Sequence, residues 1–254
     1  MEILHFSLLI LVMAFLCEYV DSSLGMGYGT TLTPVLLIMG YQPLEIVPAI
    51  LLSELISGLS AAFFHHQFKN SDFKMGSRDL RIALVMAGCS IVGTLAAVVV
   101  ALNLPKFYIK LYIGIVVLSM GIIILATLNR QYRFSWRKIT SLGLLAAFNK
   151  GISGGGYGPV VTSGQILSGV KSKAAIGITS LAEGLTCLVG VVTYILISGQ
   201  RVQWHLAPSL ALGALLSVPL AAYTVKRLAA ARLKLIVGAA TLTLGIVTMG
   251  KILL

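Results

Sequence analysis

"SLGMGYGTTLTP", residues 23–34, and "SGGGYGPVVTSG", residues 153–164, decide how this chain is read. Sliding the chain by 129 residues without gaps superimposes the two loops and the segments after them. Gly25, Gly27, Tyr28, Gly29, Thr33, Gly40, Leu52, Glu54 and Leu59 meet identical residues at 154, 156, 157, 158, 162, 169, 181, 183 and 188, nine identities in 35 positions. Later in each half, "KLYIG" (110–114) echoes "KLIVG" (234–238). Loop and glutamate falling in one register make chance a poor explanation. The chain reads as a tandem duplication, residues 1–129 and 130–254, forming one transmembrane domain.

Of 254 residues, 57% are hydrophobic and only 11% charged, and mean hydropathy is +0.96. A soluble domain does not hide that much apolar surface, so the class is a polytopic membrane protein. The net charge of +11 raises nucleic acid as a partner, but the basic residues fall in the short loops between apolar runs, which fits a bilayer and no nucleic acid. Cys17, Cys89 and Cys187 lie in apolar runs and read as small hydrophobes. The N-terminus lacks a basic region before its apolar stretch, so a cleaved signal peptide is not expected.

A helical span takes roughly 20 apolar residues. The stretches 82–105 and 202–225 hold 24 residues each without Asp, Glu, Lys or Arg, and 111–129 holds 19. Segments 44–65 and 173–198 are as long and carry Glu54 and Glu183 near their middles. Segments 3–20 and 235–250 are shorter, and 30–40, 139–149 and 159–168 are too short to span alone. Ten segments result, five per copy. Placed in that order, Lys69, Lys74, Arg78, Arg81, Arg130, Arg133, Arg137, Lys138, Lys171, Lys173, Lys226, Arg227, Arg232 and Lys234 fall on one side, 14 of 19 basic residues. Lys106, Lys110, Arg201 and Lys251 fall on the other. The positive-inside rule makes the 14 cytoplasmic and puts both termini outside. Five is odd, so the second copy is expected upside down. The predicted fold is an all-α polytopic membrane protein of two inverted five-segment repeats, each with a glycine-rich loop and a half-membrane helix, a plan of secondary transporters.

Gly-Tyr-Gly inside such a chain suggests a potassium filter, but filters need four loops aimed along one pore, and these two would oppose each other. Thr30 and Thr31 read as caps of one short helix with Pro34 in its opening turn, and Pro159, directly after Gly158, as the start of the other. Eleven residues rise roughly 16 Å, half the hydrocarbon core, so both loops belong near mid-membrane. There the backbone N–H groups and positive helix ends of Gly25, Gly27, Tyr28, Gly29, Thr30 and Thr31, facing Gly154, Gly155, Gly156, Tyr157 and Gly158, are candidates to bind an anion. The alternative is that the glycines serve only close helix packing.

Ionisable residues inside a membrane need a reason, and Glu18, Asp21, Glu54, Lys150 and Glu183 qualify. Asp21 and Lys150 are repeat equivalents that either pair with each other or leave Lys150 to touch an anionic substrate. Glu54 and Glu183 are either proton carriers or acceptors for the loop N–H groups. Asp21, Glu54 and Glu183 are the coupling candidates. His65, His66 and His205 read as interfacial rather than as metal ligands, and Trp136 and Trp204 as interfacial belts; no metal or cofactor is expected. "GISGG" (151–155) matches G-x-S-x-G, but no histidine is placed at the midplane and Leu24 stands where Ser153 does in the other copy, so no catalytic residue and no enzyme are expected.

The paired loops, each opening a short helix that ends in Gly, resemble the sulfite exporter TauE/SafE family, also called the toluene sulfonate uptake permease family. "AAIGITS" (174–180) is similar to the Ala-x-Gly-Thr-Ser stretch after the second loop in that family. The first loop departs from it, with Gly-Met-Gly-Tyr-Gly where many members have three consecutive glycines, and "EIVPAILLSE" (45–54) replaces the corresponding stretch. The resemblance covers nearly the whole chain and implies a carrier of sulfite or organosulfonates in a prokaryotic plasma membrane, with a small anion and the lipid bilayer as partners; a homodimer is compatible. Expelling a monoanion is helped by the membrane potential by ~2.3 kcal/mol per 100 mV, whereas import needs a coupled cation. The other readings are a cation-coupled carrier of another solute using Glu54 and Glu183, and a non-transporting assembly or sensor component.

Overall fold

The computed structural model describes residues 7–127, 135–198, 206–227 and 230–253. All ten segments are helices: α1 (Leu8–Leu24), α2 (Tyr28–Ile38), α3 (Pro43–Gln67), α4 (Arg78–Asn103), α5 (Lys106–Ala126), α6 (Trp136–Ser153), α7 (Tyr157–Leu167), α8 (Ser172–Ser198), α9 (Ala207–Arg227) and α10 (Ala230–Leu253). No strand occurs among the described residues. Arg130, Arg133, Arg201, Trp204, His205 and the stretch before Ser7 lie outside them.

Local chemistry sets the boundaries. The Ser7 hydroxyl accepts the Ile10 N–H and the Ser77 hydroxyl the Leu80 N–H, opening α1 and α4. Gln42 and Glu45 form a capping box at α3. α1 and α6 both close on a left-handed glycine: Gly25 (φ 69°) donates to the Asp21 carbonyl at 2.6 Å and Gly154 (φ 70°) to the Lys150 carbonyl at 2.8 Å.

Two expectations are corrected. α1 and α6 run about four residues further than their apolar stretches, to Leu24 and Ser153. Glu18, Asp21, Asn149 and Lys150 are polar, but they point into protein rather than lipid, so they extend the helices. With 18 residues, α6 reaches ~27 Å and is no short segment. Thr30 and Thr31 are not caps: α2 begins at Tyr28 with Gly27 as N-cap and no capping hydroxyl. Buried carboxylates take the free N–H groups instead.

The principal packing pairs come in couples related by a shift of five helices. α1 on α9 matches α6 on α4, and α3 on α9 matches α8 on α4. α3 packs on α8, and α5 on α10, each helix against its own counterpart. Both of those contacts are antiparallel. Gly58 abuts Ser180 and Gly184 while Gly177 faces His65 and Gly190 faces Leu51; Gly114 meets Met249 while Gly121 meets Leu242.

The exterior is apolar. Leu84, Ile91, Val92, Leu95 and Val99 form an exposed stripe along α4, as do Leu212, Leu216 and Leu220 along α9. The interior holds carboxylates, hydroxyls and Lys150. That inversion of the soluble pattern, with four helices among the described residues (α3, α4, α8, α9) long and apolar enough to cross a bilayer, describes a multi-pass membrane protein. Apart from Lys150, the described basic side chains that line clefts lie at two ends. Lys69, Lys74, Arg78 and Lys171 line a cleft of about 690 Å³ at one end, where Lys173 also bonds the Lys226 carbonyl at 2.9 Å. Lys110 and Lys251 line one of about 350 Å³ at the other.

Candidate substrate site

The two glycine loops meet at the centre and pack on each other in a reciprocal pattern. A β-carbon on Gly29 would overlap the Gly154 carbonyl and one on Gly155 would come 2.7 Å from the Thr30 nitrogen; on the other side, one on Gly158 would lie 2.7 Å from the Met26 Cα. Thr162 donates to the Gly25 carbonyl at 2.6 Å, and its counterpart Thr33 faces Gly154. In this conformation the glycines serve close packing, the alternative that the sequence left open.

Lys150, fully buried near the end of α6, is the cation of the site. Its ammonium pairs with the Glu54 carboxylate of α3 and donates to Glu183 Oε1 of α8 at 2.8 Å. The expected Asp21–Lys150 pair does not form. Glu54 and Glu183 sit half-way along two helices crossing at Gly58 and Gly184, which lack side chains to hold the backbones apart, so both carboxylates reach Lys150. Asp21 Oδ1 instead accepts the Tyr28 N–H at 3.2 Å.

Carboxylates thus hold the start of α2. Asp21 takes the Tyr28 N–H, and Glu54 Oε1 takes the Gly29 N–H at 3.3 Å. Such charge-assisted bonds replace the missing cap and favour the positive helix end. In the second loop, Gly155 N–H donates to the Ser153 hydroxyl at 3.2 Å and Gly156 N–H to the Thr30 hydroxyl of the first loop at 3.0 Å. Thr31 N–H closes onto the Gly27 carbonyl at 2.9 Å. The Tyr28 hydroxyl bonds Ser53 Oγ at 2.7 Å, and the hydroxyl of its counterpart Tyr157 faces Thr186.

A cavity of about 10 Å³ remains beside the cluster, lined by Glu18, Asp21, Glu54, Ser57, Gly58, Ser180 and Glu183. It holds at most a water-sized occupant. It shares no lining residue with either end cleft.

His65, near the end of α3, faces protein rather than solvent or lipid. It is fully buried, with Nε2 3.0 Å from the Ser22 carbonyl and Nδ1 3.1 Å from Asn70 Nδ2, which also donates to the Ala222 carbonyl. Asn70 therefore donates and His65 Nδ1 accepts, leaving Nε2–H to tie α3 to α1. His66 stays near the surface, where Nδ1 accepts the Phe73 N–H at 3.2 Å. Sequence reading missed Ser22, Ser57, Ser180 and Asn70. Ser57 and Ser180 stand three residues from Glu54 and Glu183, on the same helix faces, and that spacing was the available signal. Ser153 donates to the Asn149 carbonyl at 2.6 Å and accepts from Gly155, holding its loop.

Residues 10–248 match the sulfite exporter TauE/SafE family. The chain is also 27% identical over 224 residues to "Probable membrane transporter protein YtnM" of Bacillus subtilis (strain 168), covering 84% of this chain and 72% of that one. Both are described as transporters, so the Gly-x-Ser-x-Gly match at Ser153 marks a loop and not an enzyme's nucleophile. With the match spanning nearly every helix, the chain belongs to the sulfite exporter TauE/SafE family of membrane transporters.

Proposed function

We propose that the protein is a secondary carrier that exports small sulfur-containing anions, sulfite or an organosulfonate, across a prokaryotic plasma membrane. The observation that carries this reading is Lys150: a fully buried ammonium beside two loops, the first of which already holds carboxylate oxygens on the N–H groups of Tyr28 and Gly29. Groups that bind the carboxylates of Asp21 and Glu54 have the chemistry to bind a sulfonate or sulfite oxygen. The substrate groups in this reading are Lys150 and the backbone of Gly25, Gly27, Tyr28, Gly29, Thr30 and Thr31, with Gly154, Gly155, Gly156, Tyr157 and Gly158. In this reading, alternate opening of the two end clefts towards the central site would carry the anion across. The halves are read as inverted copies with both termini outside. The antiparallel α3–α8 and α5–α10 contacts, the reciprocal loops and the sorted basic ends support that arrangement.

A cation carrier is the second reading, favoured by the four carboxyl groups around the central cavity. Purified protein in liposomes, loaded in turn with sulfite, thiosulfate, benzenesulfonate and sodium, separates the two. Anion efflux supports the first reading; sodium flux without anion flux overturns it.

A further inference from the structure

We propose that Glu54 is a built-in placeholder for the substrate anion, and that one proton bound by its carboxyl accompanies each anion that replaces it. This rests on the anion-carrier reading and adds the coupling ion and the residue that binds it.

Glu54 occupies donors from both halves of the chain. Oε2 pairs with the Lys150 ammonium, contributed by the second half. Oε1 accepts the Gly29 N–H, contributed by the first loop. Its two oxygens therefore span the principal cation and a loop amide, as two oxygens of a sulfonate or sulfite would. Glu183, its repeat counterpart, also bonds Lys150, but through Oε1 at 2.8 Å. The Glu183 carboxylate can stay on Lys150 while the donors of Glu54 change hands.

Charge then requires the proton. The groups facing Glu54 are Glu18 and Asp21 of α1, Tyr28 of α2, Lys150 of α6, and Glu183 and Cys187 of α8. α9, which also packs on α3, carries its ionisable side chains Tyr223, Lys226 and Arg227 at its far end. Lys150 is the single cation in this set, against four carboxyl groups once Glu54 itself is counted. A monoanion that displaced Glu54 as a carboxylate would add one negative charge to a buried, carboxyl-rich centre and strand a buried carboxylate without its cation. If the Glu54 carboxylate instead accepts one proton from water, its charge is lost as the substrate's is gained. The carboxylic acid leaves Lys150 and Gly29, the anion takes both donors, and the sum is unchanged. Release on the far side reverses each step. Transport of a monoanion is then electroneutral, so the membrane potential, which would assist a bare anion outwards, drops out, and the anion and proton gradients set the direction.

The test is titration calorimetry on the full-length protein in detergent, with benzenesulfonate as probe because its charge does not change near neutral pH. Repeating each titration in two buffers of different ionisation enthalpy counts the protons taken up. The wild type is expected to take up one proton per anion, its affinity falling about tenfold per pH unit above the carboxyl's titration. Glu54→Gln is expected to bind the anion with no proton uptake and no pH slope. Glu183→Gln is expected to keep the proton count and the pH slope, which a merely structural role for Glu54 would not produce. Proton uptake that persists in Glu54→Gln, or a wild type that binds anion without a proton, overturns the placeholder. Folded wild type and Glu54→Gln that bind neither benzenesulfonate, sulfite nor thiosulfate at any pH overturn the anion reading beneath it.

Discussion

Gly29 and Gly154 meet backbone to backbone at the centre of the molecule, so closely that a methyl group on Gly29 would overlap the Gly154 carbonyl. Packing there is set by two main chains, neither of which can rotate away as a side chain could. Gly29→Ala is therefore expected to lower stability by about 1–3 kcal/mol, the usual cost of overpacking, or to prevent folding. Thermal melting in detergent reads this out. An unchanged melting temperature would mean that the loops are not in contact in solution.

Lys150 is flanked by two carboxylates that lose their common cation if it is removed. Lys150→Met is expected to cost about 3–5 kcal/mol, because breaking a buried pair leaves uncompensated charge behind. Adding Glu54→Gln and Glu183→Gln to that variant removes the stranded charges and is expected to restore most of the loss. Melting of the single and triple variants checks it. Asp21→Asn with Lys150→Met should not substitute for that rescue, since Asp21 bonds the Tyr28 N–H rather than Lys150.

Much of this centre was legible in the sequence, and the parts that were not share a physical cause. The duplication exposed both loops and both glutamates, because identical residues in one register survive without any knowledge of packing; Lys150 stood out as a charge inside the membrane. Helix ends at Leu24 and Ser153 were missed because the apolar segments end just before Asp21 and Lys150, whereas the helices continue because those residues find partners inside the protein. The partner of Lys150 was misread for a related reason. Repeat equivalence put Asp21 opposite it, but the close α3–α8 crossing at Gly58 and Gly184 delivers Glu54 and Glu183 first. Backbone conformation is equally silent in the sequence. The φ values of 138° at Gly27 and 79° at Gly156 mean that alanine at either position strains the backbone as well as crowding the loop, so such variants mix stability with binding.

His65 ties α3 to the Ser22 carbonyl and, through Asn70, to α9. His65→Leu is expected to destabilise by about 1–3 kcal/mol, because the buried groups it leaves behind lose their partners. An interfacial histidine would tolerate the change. A melting temperature within error of wild type would return His65 to the surface.

The two end clefts give a direct test of sidedness. In a variant lacking Cys17, Cys89 and Cys187, single cysteines at Lys74 and Lys171 report one end, and at Gln42 and Lys110 the other. An impermeant maleimide applied to intact cells is expected to label Gln42→Cys and Lys110→Cys and to spare the first pair until the cells are opened. The reverse pattern would turn the molecule over; mixed labelling within one end would break the reading of inverted halves.

The carboxyl-lined cavity is where the anion and cation readings diverge most. Glu18 and Asp21 line it together with Glu54 and Glu183 but do not bond Lys150. If the cavity held a transported or coupled sodium ion, Glu18→Gln and Asp21→Asn would each remove a ligand oxygen charge, and anion flux would stop when sodium was replaced by choline. In the anion reading, Glu18 only receives the Ser22 hydroxyl at 2.6 Å, and neither change touches Lys150 or Gly29. Sulfite or sulfonate efflux from liposomes is then expected to continue in choline. Glu18→Gln should keep most of that flux. Lys150→Met, made together with Glu54→Gln and Glu183→Gln so that the protein folds, should lose at least about tenfold, the effect of removing one charge-assisted bond worth roughly 1.5–3 kcal/mol. Sodium dependence in the wild type that is lost in Glu18→Gln would assign the cavity to a cation and make Lys150 a counter-ion for it rather than a seat for the substrate.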